Sequence, residues 1–233
     1  MRKVLIVLLV LILAGLFGAD RYAESRAEAE VARQVAVQYR LTSEPSVSFG
    51  GFPFLTQALS GKYDSVDVSI GAFTDQGISL QDVNVRLEGL NAPLSDLMNG
   101  DASSLTADKA VASAVIPYGI VQKQLADRGV TAVARSADGN VLAKGTYSAP
   151  VVGEIPIDLT VSLRLTDEGV AIVPEKVAAV GFQVPLAAVK GMFTHTIPIS
   201  GLPFGAKITG VEPVASGLKV TGEAANVPLN RAL

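Results

Sequence analysis

The sequence predicts an α+β protein: a long, curved, mainly antiparallel sheet with short helices, preceded by one N-terminal membrane helix. Three observations carry this. An apolar run at Val4 to Ala19 stands directly behind Arg2 and Lys3, a two-residue alternation of apolar and polar side chains sets in after Ser43, and prolines open short helical stretches between the alternating segments.

Val4 to Ala19 holds no charge before Asp20 and reads as a translocation signal. A cut after Ala19 would place Phe17 at −3, and a cut after Gly18 would place Leu16 there. Both are bulky where a peptidase needs a small residue, which favours an uncleaved signal anchor over a cleaved peptide. At ~1.5 Å per residue the run spans ~24 Å, short of a ~30 Å hydrocarbon core, so anchoring relies on local thinning or on Arg2, Lys3 and Arg21 reaching the interfaces. The two basic residues ahead of it place the N-terminus in the cytoplasm and the rest outside. The expected division is 1–19 as signal anchor or signal peptide, 20–41 as a helical stalk, and 42–233 as one α+β domain. The expected location is the plasma membrane, single-pass, or secreted if the segment is cleaved.

Asp20 to Leu41 is rich in Ala and Glu and free of Gly and Pro. Val31, Val35 and Gln38 fall at helical spacing, so the stalk continues the anchor and packs on the domain. From Lys62 to Ile70, Val66, Val68 and Ile70 alternate with Ser65, Asp67 and Ser69. Ile78 to Leu90 repeats the pattern with Val83, Val85 and Leu87 against Asp82, Asn84 and Arg86. Further strands are expected at Leu105–Val115, Val130–Ser136, Val141–Ser148, Ile155–Leu165, Gly169–Val173, Val177–Phe182, Ala206–Val214 and Gly217–Ala224. Turn residues separate them at Thr74–Gly77, Ala137–Asn140, Thr166–Gly169 and Ala215–Gly217. Helices are expected at Pro53–Ser60, Pro93–Asn99, Pro117–Arg128 and Pro185–Phe193, each with proline in its first turn, where the missing N–H costs nothing.

The chemistry expected of most enzymes is missing from the sequence. There is no cysteine, which excludes thiol catalysis, thiolate metal sites and lipoprotein attachment. The one histidine, His195, lies in Thr-His-Thr without a nucleophile motif or a cluster of metal ligands. No G-x-S-x-G elbow, H-E-x-x-H helix, P-loop or dinucleotide fingerprint occurs. The acidic pairs Asp64/Asp67 and Asp167/Glu168 read as solvated strand and turn positions. We therefore expect no enzyme, no cofactor and no metal. The formal charge is −3, or about −5 with Arg2 and Lys3 set aside, which disfavours nucleic acid as a partner.

What the chain has instead is apolar surface: 49 % hydrophobic residues with few aromatics. One long curved sheet with an apolar concave face would account for it, and so would an ordinary sheet packed by helices. Gly51-Phe52-Pro53-Phe54 and Gly201-Leu202-Pro203-Phe204 form a recurring pair. In the first, Phe54, Leu55, Ala58 and Leu59 recur at the spacing of one helical face. In the second, Gly and Pro prevent a regular helix, leaving two large apolar groups in a loop.

Gly51-Phe52-Pro53-Phe54-Leu55-Thr56-Gln57, with Gly61 and the strand Val66–Ile70 behind it, resembles the LmeA-type phospholipid-binding family of actinobacterial cell envelopes. Leu202-Pro203-Phe204-Gly205 running into Ile208-Thr209-Gly210-Val211, and the strand at Gly217–Val220, add to the resemblance, which covers residues 40–230. It implies an elongated, lipid-cradling domain similar to tubular lipid-binding folds, with acyl chains of a phospholipid in an apolar groove and a role in envelope lipid or glycolipid maturation or transfer. Phe52, Phe54, Leu55 and Leu59 on one side, and Leu202 and Phe204 on the other, are the expected lipid-binding residues. Burial of a 16-carbon chain at ~0.8 kcal/mol per CH₂ is worth on the order of 10 kcal/mol, so an acidic domain can hold lipid through apolar lining alone. The competing expectation is a structural envelope protein with a packed core that binds other proteins.

Overall fold

The computed structural model describes residues 2–75, 78–93, 96, 104–149, 153–166, 169–198 and 205–229. In chain order the elements are α1 (Arg2–Gln38), β1 (Ser46–Gly50), α2 (Phe54–Ser60), β2 (Lys62–Asp75), β3 (Ile78–Asn91), β4 (Thr106–Pro117) and α3 (Tyr118–Leu125). A single 3₁₀ turn (Ala126–Arg128) then leads to β5 (Val130–Arg135), β6 (Val141–Ala149), β7 (Gly153–Thr166), β8 (Gly169–Ala178), α4 (Leu186–Phe193), β9 (His195–Pro198), β10 (Lys207–Pro213) and β11 (Gly217–Pro228). The strands form two sheets, ordered β1-β2-β3-β4-β11-β10 and β5-β6-β7-β8-β9. The α+β class is thus borne out, but two sheets stand where one long curved sheet was expected. The chain divides into two compact units, residues 1–71, 84–111 and 224–233 in the first and 72–83 and 112–223 in the second.

In the first unit, the apolar segment and the stalk are one unbroken helix, α1. It ends where Arg40 takes a left-handed conformation (φ 50°) and Leu41 and Arg40 donate their main-chain N–H groups back to Ala36 and Val37. This double bond pattern closes a helix terminus without glycine. Ala23, Ala27, Val31 and Ala32 lie on the face that packs against the core of Val47, Phe54, Tyr63, Val66 and Leu90. Their small size lets α1 approach β1 closely. The Glu28 carboxylate accepts the N–H of Phe49 at 3.2 Å, supplying a partner on the edge strand β1.

Strand β1 was not foreseen. It pairs antiparallel with β2 from Ser46↔Ser69 to Gly50↔Ser65. The expected helix at Pro53 begins at Phe54 with Pro53 as its cap residue, and the helix expected at Pro93–Asn99 falls mostly outside the described residues.

In the second unit, β7 is the centre of the five-stranded sheet. Ile155, Ile157, Leu159 and Val161 alternate inward and pack with Val121 and Leu125 of α3 and Val189 and Phe193 of α4. The apolar face of this sheet is therefore covered by helices, the packed arrangement of the two foreseen. β8 corrects the sequence reading, which split it at Pro174-Glu175-Lys176. One strand runs through, because the register shifts there: Thr160 faces Lys176, Val161 faces Pro174, and Glu175 is the extra residue. A bulge tolerates proline, which cannot donate to the ladder. Glu175 turns its carboxylate to the Ser162 hydroxyl at 2.8 Å and to Arg164 at 2.9 Å. β9 was also unforeseen, and His195 pairs on it opposite Ile172.

Candidate functional site

The motif Gly51 to Gln57 lies in the first unit, where most of its residues have identifiable partners. Gly51 sits at φ 88°, a left-handed conformation that favours glycine, and a Cβ there would also push on the Asp64 carboxylate and the Gln57 amide. Gln57 is buried. Its amide nitrogen donates to the Gly50 carbonyl at 3.1 Å, and its amide oxygen accepts the Asp64 N–H at 2.7 Å, latching α2 to the end of β1 and the start of β2.

Pro53 offers α2 no side-chain cap. Asp20 of α1 does so instead, accepting the N–H of Leu55 at 2.8 Å and of Phe54 at 3.2 Å. The first N–H groups of a helix lack partners inside it and carry partial positive charge, so a buried carboxylate is well placed there. Arg21 donates to Asp20 at 2.8 Å and pairs with Glu24 at 2.6 Å. Desolvation pushes the Asp20 carboxyl up, but the hydrogen bonds from Leu55, Arg21 and Phe54 outweigh it and hold it below its ordinary value. The Arg21 guanidinium also lies 5.2 Å from the centre of the Phe52 ring and 5.9 Å from that of Phe17.

The structure separates the expected lipid-binding residues. Phe54 is 5 % exposed and stacks at 5.1 Å against Phe49 and 6.2 Å against Tyr63. Phe52 is 61 % exposed, Leu55 37 % and Leu59 79 %. The four-residue face divides because Leu55 and Leu59 stand one position, or ~100°, around the helix from Phe54 and Ala58. The Phe54/Ala58 edge packs inward and the Leu55/Leu59 edge faces out. Leu202 and Phe204 lie outside the described residues.

A second apolar feature of this unit lies on β2 and β3. Ser69 hydrogen-bonds Asn84 at 2.6 Å and Asp67 receives Arg86 at 3.0 and 3.1 Å, so these four share one face of β2 and β3. By alternation Val66, Val68 and Ile70 of β2 and Val85 and Leu87 of β3 share the other. Val66 is buried, whereas Val68, Ile70, Val85 and Leu87 are only half-buried. The alternation was legible in the sequence, but how far α1 covers this face was not.

The second unit shows the same grading by itself. Lys219 and Glu212 are register partners 3.5 Å apart on the polar face of β10 and β11. The opposite face carries Leu218, fully packed in the core, then Val211 and Val220, half-buried register partners. The open side of the five-stranded sheet holds a shallow cavity of about 460 Å³. Its lining is mixed, with Thr131, Thr146, Lys144 and Asp158 beside Pro156, Ile157, Ala178, Ala179 and Val180. Among the described residues no three His, Asp or Glu side chains gather as a metal-binding group.

The only helix among the described residues that is long and apolar enough to cross a membrane is α1. Comparison with curated proteins and with solved structures finds no match. A family model does match, over residues 18–223, a span that takes in the Asp20 clamp, the Gly51–Gln57 motif and both graded apolar faces. The chain belongs to the LmeA-like phospholipid-binding family.

Proposed function

We propose that this protein is an extracytoplasmic phospholipid-binding protein, held at the plasma membrane by α1 with its N-terminus in the cytoplasm, and acting in envelope lipid or glycolipid maturation or transfer. The membership in a phospholipid-binding family carries the reading. Supporting it, the large apolar residues from Val4 to Phe17 are exposed along α1, which continues as the same helix into the core of the first unit.

Within the first unit, the strip of Val68, Ile70, Val85 and Leu87 is our candidate for acyl-chain contact, since its side chains are apolar, adjacent and incompletely covered. In the second unit, Val211 and Val220 offer a shorter strip of the same kind. Leu202 and Phe204 belong to the segment leading into β10, and we retain them as lipid-contacting candidates. The competing reading is a structural envelope protein with a packed core, such as the helix-covered sheet of the second unit, that binds other proteins rather than lipid.

Native mass spectrometry of the full chain, released from detergent after purification from membranes, tests the lipid reading. The expected result is a phospholipid adduct that survives detergent removal and exchanges with added lipid. A bare chain that takes up no added phospholipid would leave only the protein-binding role.

A further inference from the structure

We propose that Phe52, Leu55 and Leu59 form a seat that inserts into the boundary between headgroups and acyl chains of the bilayer entered by α1. This rests on the membrane-anchored reading above and adds a surface that none of its other features assigns.

Phe17 is the last large apolar residue of α1 before the charges of Asp20 and Arg21, so it marks where the apolar segment ends. Phe17 and Phe52 are both mostly exposed, and their ring centres are 5.9 Å apart. Phe52 is therefore held at the level of the last apolar turn of α1. It is held rigidly, because the Asp20 clamp and the Gln57 latch fix α2 on either side of the motif. Leu55 and Leu59, one helical turn apart, leave the same short helix on its outward edge.

Large apolar side chains flanking the end of a membrane helix, with a cation stacked on the two rings, suit an interface where one side is apolar and the other wet. The occupant is fixed by continuity: the bilayer that takes Phe17 must reach the ring touching it. Arg21 is already paired by Asp20 and Glu24, so the seat offers apolar surface rather than free positive charge. It should engage neutral and anionic phospholipids alike.

The chain contains no tryptophan, so Ile12→Trp, Phe52→Trp, Leu59→Trp and Val37→Trp each give a single reporter in the full chain. Each is reconstituted into phosphatidylcholine vesicles, with and without phosphatidylglycerol, carrying a nitroxide either near the ester or near the acyl-chain end. We expect Phe52→Trp and Leu59→Trp to be blue-shifted and quenched most by the shallow nitroxide, and Ile12→Trp most by the deep one. Val37→Trp, ~30 Å along the helix from Phe17, should be neither shifted nor quenched. If Ile12→Trp is quenched while Phe52→Trp and Leu59→Trp behave like Val37→Trp, the anchor stands and the seat is wrong. If Ile12→Trp is also unquenched, the anchored reading falls and takes the seat with it. Quenching at Phe52→Trp and Leu59→Trp only when phosphatidylglycerol is present would overturn the seat in favour of charge recognition.

Discussion

The carboxylate of Asp20 accepts the main-chain N–H of Leu55 at 2.8 Å, joining the point where the apolar part of α1 ends to the first turn of α2, 35 residues later in the chain. One ionised side chain thus caps a helix on another element and sets the position of Phe52 beside Phe17. Because the Asp20 carboxyl is held below its ordinary value of 3.8, its contribution to stability is present above that pH and is lost as pH falls through the lower, folded value. Asp20→Asn should lower the melting temperature at neutral pH and flatten its decline below pH 4. Thermal unfolding followed by circular dichroism across that range checks both, and an unchanged acid profile would remove Asp20 from this role.

Phe54 and Phe52 flank the same proline and should behave oppositely. Phe54→Ala opens a cavity among Phe49, Tyr63 and Val66 and should cost about 3 to 5 kcal/mol. Phe52→Ala touches mostly solvent in the free protein and should stay within about 0.5 kcal/mol. Chemical denaturation of the two variants in the same detergent measures the difference.

Gly217 begins β11 in extended backbone, and a Cβ there would meet the Ile116 carbonyl and lie 2.9 Å from the Pro117 Cα. These are main-chain atoms of β4 that cannot swing aside. Gly217→Ala should therefore destabilise by about 1 to 3 kcal/mol through overpacking, which equilibrium unfolding will show. Gly191, where added bulk meets open space, is the matched control, although alanine in a helix is favoured and a small gain is expected there.

Val85→Asp places a charge on the half-buried strip of β3 without removing a core side chain. If that strip contacts acyl chains, the variant should retain its circular dichroism spectrum and lose most of its co-purified phospholipid. Asn84→Asp, on the opposite, polar face beside Ser69, should keep its lipid. Lipid extraction and mass spectrometry of equal amounts of each protein decides the matter.

Much of this was legible in the residues because alternation and turn chemistry are local. Val83, Val85 and Leu87 against Asn84 and Arg86 define β3 without knowledge of any neighbour, and Ala137-Asp138-Gly139-Asn140 forms the turn expected, with Gly139 at φ 84°. β1 and β9 escaped because they are four or five residues long and owe their conformation to the partner strand. The break assigned at Pro174 failed for a related reason: proline ends a regular ladder, and only the partner strand reveals that a bulge accommodates it.

By itself the sequence determined the apolar N-terminal helix, the α+β class, most strands, and the Gly51–Gln57 motif on which the family resemblance was read, since each depends on residues within a few positions of one another. Only the tertiary structure decided that Phe54 is core while Phe52, Leu55 and Leu59 remain outside. It alone divided the strands between two sheets, covered one apolar face with α3 and α4, and left Val68, Ile70, Val85 and Leu87 half-open. Burial is set by what packs against a side chain, and for α2 the decisive partner, Asp20, lies more than thirty residues away, beyond the reach of any local pattern.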